Sequence, residues 1–142
     1  MSNLFDLTGS RALITGSSQG IGLALAAGLA RQGASVIING RTEARVDEAC
    51  EALAAQGLKA EKAIFDVTEK AEVDAGIEKI EREIGPIDIL INNAGMQYRT
   101  QLEDFPADKF ELLFKTNVTS VFLVGQAVAR HMIPRQRGKI IN

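Results

Sequence analysis

The sequence predicts an α/β chain built on a doubly wound parallel sheet, with strand order 3-2-1-4-5, and three observations carry that prediction. Short apolar runs recur along the chain, as in Ala12-Leu13-Ile14, Val36-Ile37-Ile38 and Ile87-Asp88-Ile89-Leu90-Ile91. Segments of helical spacing alternate with them, the first carrying Ile21, Ala24, Leu25, Gly28 and Leu29 at i, i+3, i+4, i+7 and i+8. Thr15-Gly16-Ser17-Ser18-Gln19-Gly20-Ile21-Gly22 joins the first run to that first helix with three glycines and two serine hydroxyls. Apolar residues on consecutive positions, rather than alternate ones, mark strands covered on both faces. A sheet of this kind takes its ligand beyond the strands' C-terminal ends, where the strand order reverses.

The elements follow in order. After a lead-in over residues 4–9, the first strand covers about 11–15 and the first helix runs to about 32, with Gly33 as its stop. The second strand is 35–39, leading into Gly40-Arg41. Thr42 is placed as the N-cap of a helix reaching about 56, with Glu43 in its first turn and Gly57 closing it. The third strand, 59–65, is more polar, and its lysines suit a sheet edge. Asp66-Val67 ends it, and Thr68 is expected to start a helix whose buried face is Val73, Ile77, Ile80 and Ile84. Gly85-Pro86 stops that helix, and 87–91 reads as a central strand entering Asn92-Asn93-Ala94-Gly95. A polar loop to about Pro106 precedes a long helix with Phe110, Phe114, Asn117, Val121, Val124, Val128 and Met132 along one face, ended by Pro134. Residues 138–142 start a fifth strand, so the sheet is expected to be truncated there, with Ile140 and Ile141 as an unprotected apolar edge. Residues 1–142 read as a single domain, without repeats or low-complexity segments.

The loop that opens the first helix is a phosphate cradle. A helix N-terminus presents unpaired N–H groups and about half a positive charge, so a diphosphate set against it needs no basic side chain. Gly16 turns the chain, Gly20 admits a close approach to the phosphates, Gly22 lets the helix pack on its own strand, and Ser17 and Ser18 add hydroxyls.

Composition excludes several other roles. A formal net charge of -2 and scattered lysines and arginines argue against nucleic acid as a partner. No apolar run is expected to reach the length of a membrane span, and Met1-Ser2-Asn3-Leu4-Phe5-Asp6 lacks the pattern of a leader peptide, which makes the cytoplasm the default. Cys50, the single cysteine, falls on the apolar spacing Val46, Ala49, Cys50, Leu53 and reads as core filler; no metal site is expected. His131 lies near a helix C-terminus, where the dipole favours its charged form.

The glycines stand as Gly-x-x-x-Gly-x-Gly, and with Asn92-Asn93-Ala94-Gly95 and Lys115-Thr116-Asn117-Val118 the chain resembles the short-chain dehydrogenase/reductase family. The likeness extends to Asn3-Leu4-Phe5-Asp6-Leu7, to Ile84-Gly85-Pro86-Ile87-Asp88 and to residues 121–132, but covers only a member's dinucleotide half. It implies a Rossmann-like fold and a nicotinamide dinucleotide held by Gly16, Ser17, Ser18, Gln19, Gly20, Ile21, Gly22, Asn39, Arg41, Asp66, Val67, Asn93, Ala94 and Gly95. The position of the acidic residue that would bind the ribose diol of NAD is Gly40, and Arg41 follows, so NADP is the expected cofactor and NAD the less favoured. Arg41 also has the lesser reading of an exposed loop charge, and Gln19 stands where NADP-using relatives often carry a basic residue. Asp66 reads either as an acceptor for the adenine amino group, with the Val67 N–H on a ring nitrogen, or as a residue flanking the next helix.

Asn117 interrupts an apolar stripe, and a buried amide without partners costs about 1–3 kcal/mol, so something must bond to it. Backbone bonding is one account; the resemblance supplies another, in which Asn117 is a member of the catalytic tetrad and helps hold a water leading to the lysine. The serine, tyrosine and lysine of that tetrad are expected beyond Asn142, and Tyr98 does not replace the tyrosine because position 102 is leucine. The implied reaction is hydride transfer between NADP(H) and the keto or hydroxyl carbon of a sugar acid, with Gln97 and Arg99 open as substrate contacts or loop surface. Without the missing groups the 142 residues are expected to bind dinucleotide without turnover. Reduction of 3-oxoacyl thioesters and a non-catalytic nucleotide-binding module are the alternatives, and the long helix implies a homo-oligomer, a tetramer in the family.

Overall fold

The computed structural model describes residues 4–142; Met1 to Asn3, which open the stretch read above as lacking a leader, lie outside the described residues. Five parallel strands form one sheet: β1 (Arg11–Ile14), β2 (Ser35–Gly40), β3 (Ala60–Ile64), β4 (Ile89–Ile91) and β5 (Lys139–Ile141). Their spatial order is β3-β2-β1-β4-β5, the order expected. The helices are α1 (Gly20–Arg31), α2 (Glu43–Ala54), α3 (Lys70–Lys79), α4 (Ala107–Phe114) and α5 (Ser120–Arg135). Register aligns Leu13 with Ile37 on one side and with Leu90 on the other, so β1 is central and β2 and β4 diverge from it.

Alternate strand residues feed two cores, which is why the strands are apolar throughout. Leu13, Ile37, Phe65 and Leu90 face Val73, Ile77 and Ile80 of the α3 segment and Val124, Val128 and Met132 of α5. Ala12, Ile14, Val36 and Ile38 face Ala26 and Ala27 of α1 and Val46, Ala49 and Leu53 of α2. Cys50 is half-buried against this second cluster, where burial, followed by nearby Asp47, pushes its thiol pKa up, consistent with a packing role.

Several boundaries differ from expectation for identifiable reasons. Helix α3 begins at Lys70 rather than Thr68, because the Thr68 N–H (2.8 Å) and hydroxyl (2.7 Å) both donate to Asp66 Oδ1 and hold those residues in a turn. Thr42 stands at the N-cap of α2 as expected but makes no capping side-chain bond. The α5 helix continues through Pro134 to Arg135 and closes on Gln136 at φ 52°. A π-helical turn, Lys115–Thr119, joins α4 to α5, and another, Ile80–Ile84, extends α3.

The apolar stripe of the long helix is buried only in its second half. Phe110 and Phe114 stack on each other at 6.3 Å between centroids, yet are exposed, as is Phe122. The continuous helix Ala107–Arg135 is also long and apolar enough, by length and composition, to cross a membrane, which corrects the expectation that no run approaches that length. Here its C-terminal half is packed into the core through Val124, Val128 and Met132. At the sheet edges, Lys62 of β3 pairs with Asp47 at 2.6 Å and lies 3.6 Å from Glu43, whereas Ile140 and Ile141 of β5 are exposed in this chain.

Candidate functional site

An open groove of about 770 Å³ runs across the C-terminal ends of the strands, between the phosphate loop, the turns after β2 and β3, and the segment after β4. It is lined by Gly16, Ser18, Gln19, Gly20, Ile21 and Gly22 on one wall, by Asn39, Arg41, Asp66 and Val67 on a second, and by Asn93, Ala94 and Gly95 on the third. Thirteen of the fourteen dinucleotide residues expected from the sequence therefore converge. The exception is Ser17.

Ser17 is fully buried: its hydroxyl donates to Ile14 O at 2.7 Å and accepts the Asn39 N–H at 3.0 Å. Its single hydroxyl hydrogen is thus committed inside the fold, which corrects its expected place as a donor to a ligand. Ser18 lines the groove with a hydroxyl that has no hydrogen-bond partner among the described residues.

The walls of the loop are built to close tolerance. A Cβ on Gly16, which sits at φ +59°, would stand 2.8 Å from Ala94 Cα, so the segment after β4 presses against the loop. A Cβ on Gly22 would stand 2.5 Å from Asn93 Nδ2 and 2.6 Å from Gly16 O. Asn93 fills that contact, donating from Nδ2 to Thr15 O (3.0 Å) and Gly16 O (3.1 Å). Thr15 Oγ1 in turn accepts the N–H groups of Asn93 and Ala94, each at 3.0 Å.

The N-terminus of α1 opens into the groove. It carries neither a side-chain cap nor an acidic residue in its first turn, and its first helical bond is donated by Leu23 to Gln19 O. The N–H groups of Gly20, Ile21 and Gly22 consequently have no partner among the described residues, and the space above Gly20 is clear. A site of this description takes an anion.

At the far end, Arg41 extends into solvent with its guanidinium 3.6 Å from Asp66 Oδ2. Burial alone would raise the Asp66 pKa, but the two bonds from Thr68 and the cations Arg41 and Lys115 outweigh it and hold the carboxyl below its ordinary value. Lys115 donates to Glu69 Oε1 at 2.5 Å across the groove's rim, which raises the Lys115 pKa. The Val67 N–H has no partner among the described residues.

Asn117 is exposed rather than buried, and it stands one step behind the groove wall. Its Oδ1 accepts the Met96 N–H at 2.8 Å and its Nδ2 donates to Met96 O at 2.9 Å, fixing the backbone that follows Gly95. It lies in the π-helical turn Lys115–Thr119. Of the other residues weighed, Tyr98 packs edge-on against Phe105 at 5.4 Å, and His131 faces Glu78 at 3.4 Å on the outer surface. Sequence reasoning missed Arg45, Leu112, Lys115 and Thr116 as groove residues. The recurrence of 112 and 116 at i, i+4 is the one signal that a shared helix face existed there.

The chain's likeness to known proteins agrees with this geometry. A family model described as short chain dehydrogenase matches residues 10–142. The chain belongs to the short-chain dehydrogenase family. Within that family, gluconate 5-dehydrogenase of Gluconobacter oxydans is 59% identical over 140 residues, covering 99% of this chain and 55% of that protein. The 5-keto-D-gluconate 5-reductase of Escherichia coli is 51% identical over 142 residues, covering 100% and 56%. Among solved structures, a gluconate 5-dehydrogenase from Burkholderia cenocepacia in complex with NADP and tartrate matches at TM-score 0.92 and 51% identity, over 97% of this chain and 54% of that one. The chain spans about half the length of the short-chain dehydrogenases it matches.

Proposed function

We propose that this chain is the dinucleotide-binding domain of an NADP-dependent oxidoreductase acting on a sugar acid, interconverting 5-keto-D-gluconate and D-gluconate. The observation that carries the dinucleotide half of this reading is the uncapped, acid-free N-terminus of α1, open to a groove of about 770 Å³. The substrate half rests on relatives named for gluconate and 5-keto-D-gluconate at 59% and 51% identity.

The residues present fit such a cofactor. Gly20, Ile21 and Gly22 supply backbone N–H groups for the diphosphate, with Ser18 and Gln19 beside them. Arg41 supplies the cation for the extra phosphate of NADP, and Gly40 leaves no carboxylate to repel it; a Cβ there would stand 2.9 Å from Val46 Cγ2. Asp66 and the Val67 N–H face the adenine end, Asn93 holds the loop that shapes the middle, and Ala94 and Gly95 line the ribose side. When bound, the nicotinamide supplies or accepts the hydride.

Asn117 holds Met96 with one lone pair and one N–H, leaving a second lone pair and a second N–H for a water in the proton path. Tyr98, the single tyrosine of the sequence, is followed four residues on by Leu102 where the family's catalytic tyrosine is followed by lysine, so a polypeptide limited to these 142 residues binds NADP without turnover. The exposed Phe110, Phe114 and Phe122 favour a homo-oligomer through the long helix.

The full-length protein tests the reading directly. NADPH oxidation is expected with 5-keto-D-gluconate and not with an acetoacetyl thioester. Turnover of the thioester alone would replace the sugar-acid substrate, and binding of NADPH with no turnover of either would favour a non-catalytic module.

A further inference from the structure

Asn39 lies at the end of β2 and is 1% exposed, yet every polar group it owns is engaged. Its Oδ1 accepts the Gly16 N–H at 3.1 Å, and its Nδ2 donates to Ala63 O at 3.1 Å and Phe65 O at 3.2 Å. Its own N–H goes to Ser17 Oγ at 3.0 Å and its own carbonyl accepts the Ser17 N–H at 2.9 Å. Five hydrogen bonds thus tie one side chain and its peptide to the phosphate loop on one side and to the last turn of β3 on the other. No atom of the amide is left to donate to a ligand.

We infer that Asn39 is a positioning residue that sets the distance between the phosphate loop and the Phe65-Asp66-Val67 turn, so that the diphosphate and the adenine end of one dinucleotide are gripped in register. This rests on the dinucleotide reading above and replaces a direct contact by Asn39 with an indirect one. Only a primary amide fills the place: it needs one acceptor toward Gly16 and two hydrogens toward two carbonyls. Aspartate has the same shape but, ionised, sets a carboxylate against the Ala63 and Phe65 carbonyls. Protonated, it recovers one donor and keeps the acceptor.

The test compares NADP⁺ affinity of the full-length parent and its Asn39→Asp variant by calorimetry, between about pH 5.5 and about pH 8.5. Ionisable groups lining the groove are Arg41 after β2, Arg45 on α2, Asp66 and Glu69 after β3, and Lys115 in the turn between α4 and α5, with none on the phosphate loop. All are shared with the parent, so the ratio of the two dissociation constants is the readout. That ratio is expected to be about tenfold or more at high pH and to fall toward unity at low pH, as an unmet pair of buried carbonyls regains a partner. A Leu53→Ala variant, destabilised in the core away from the groove, is the control for general stability loss and is expected to show a ratio near unity at every pH. A pH-independent ratio near unity for Asn39→Asp overturns the inference, as does an equal loss in Leu53→Ala. Failure of the parent to bind NADP⁺ would instead overturn the dinucleotide reading. Should the variant not fold, hydrogen exchange in the ligand-free parent decides: the Gly16 amide is expected to be protected like those of β1, and exchange at the rate of an exposed loop overturns the inference.

Discussion

A methyl group added at Gly22 has nowhere to go. It would stand 2.5 Å from Asn93 Nδ2, 2.6 Å from Gly16 O and 2.8 Å from Ser17 Cα, and two of these three atoms are backbone. Either α1 lifts from the loop or the Asn93 amide swings away from Thr15 O and Gly16 O. Overpacking costs about 1–3 kcal/mol, and loss of two hydrogen bonds about 1 kcal/mol each. Alanine's better helix propensity offsets about 1 kcal/mol of this. The net for Gly22→Ala is about 2–4 kcal/mol of destabilisation, or a fall of about 4–16 °C in Tm. Gly28 provides the control on the same helix: a Cβ there meets nothing within 4 Å, so Gly28→Ala is expected to stabilise by about 0.5–1 kcal/mol. Urea denaturation measures both, and calorimetry with NADP⁺ adds a second readout, since lifting α1 displaces the N–H groups that face the groove. Equal stability and equal affinity in Gly22→Ala, or a similar loss in Gly28→Ala, would refute the packing argument.

Three further outcomes follow from the same geometry. Arg41→Ala is expected to weaken NADP⁺ binding by about 10- to 100-fold and NAD⁺ binding by less than about threefold, measured by titration with each; equal losses would remove Arg41 from the phosphate contact. Because the Asp66 pKa is lowered in the folded state, its contribution to stability is present above the ordinary aspartate value and lost as pH falls through the folded value; urea midpoints should drop along that acid limb, and less steeply in Asp66→Asn. The Glu81 side chain is 8% exposed and holds Arg135 at 2.7 and 3.0 Å while accepting the Ile87 N–H at 3.1 Å, so Glu81→Ala should cost about 2–3 kcal/mol, with a double-mutant cycle against Arg135→Met giving the coupling.

The strand order and the groove were legible in the sequence because both depend on local pattern: consecutive apolar residues for strands covered twice, and a glycine loop between a strand and a helix. What the pattern conceals is where a polar side chain spends its bonds. Ser17 and Ser18 are neighbours with the same hydroxyl, yet one is folded inward onto Ile14 O and Asn39 while the other faces the groove. Asn39 and Asn93 both line the groove, and their amides also bond the phosphate loop, a use that the pattern does not show. Phe110 and Phe114 share a helical stripe with Val124 and Val128, but periodicity records only that a face is apolar, not what covers it. The Thr68 helix start failed because Asp66, two residues earlier, offered its carboxylate to the same N–H that a helix would have left free. Asn117 was expected inside an apolar face and lies exposed, although the demand for bonding partners was right: Met96 supplies both.

The central claim is that the backbone amides opening α1 hold the diphosphate of NADP. Amide chemical shifts of the full-length protein, followed during an NADP⁺ titration, test it without any substitution. Saturable shifts are expected at Gly20, Ile21 and Gly22, with smaller ones at Val67 and none in the small hollow between β3 and α3 near Gly76. Saturation by NADP⁺ that leaves Gly20, Ile21 and Gly22 unmoved would contradict the account.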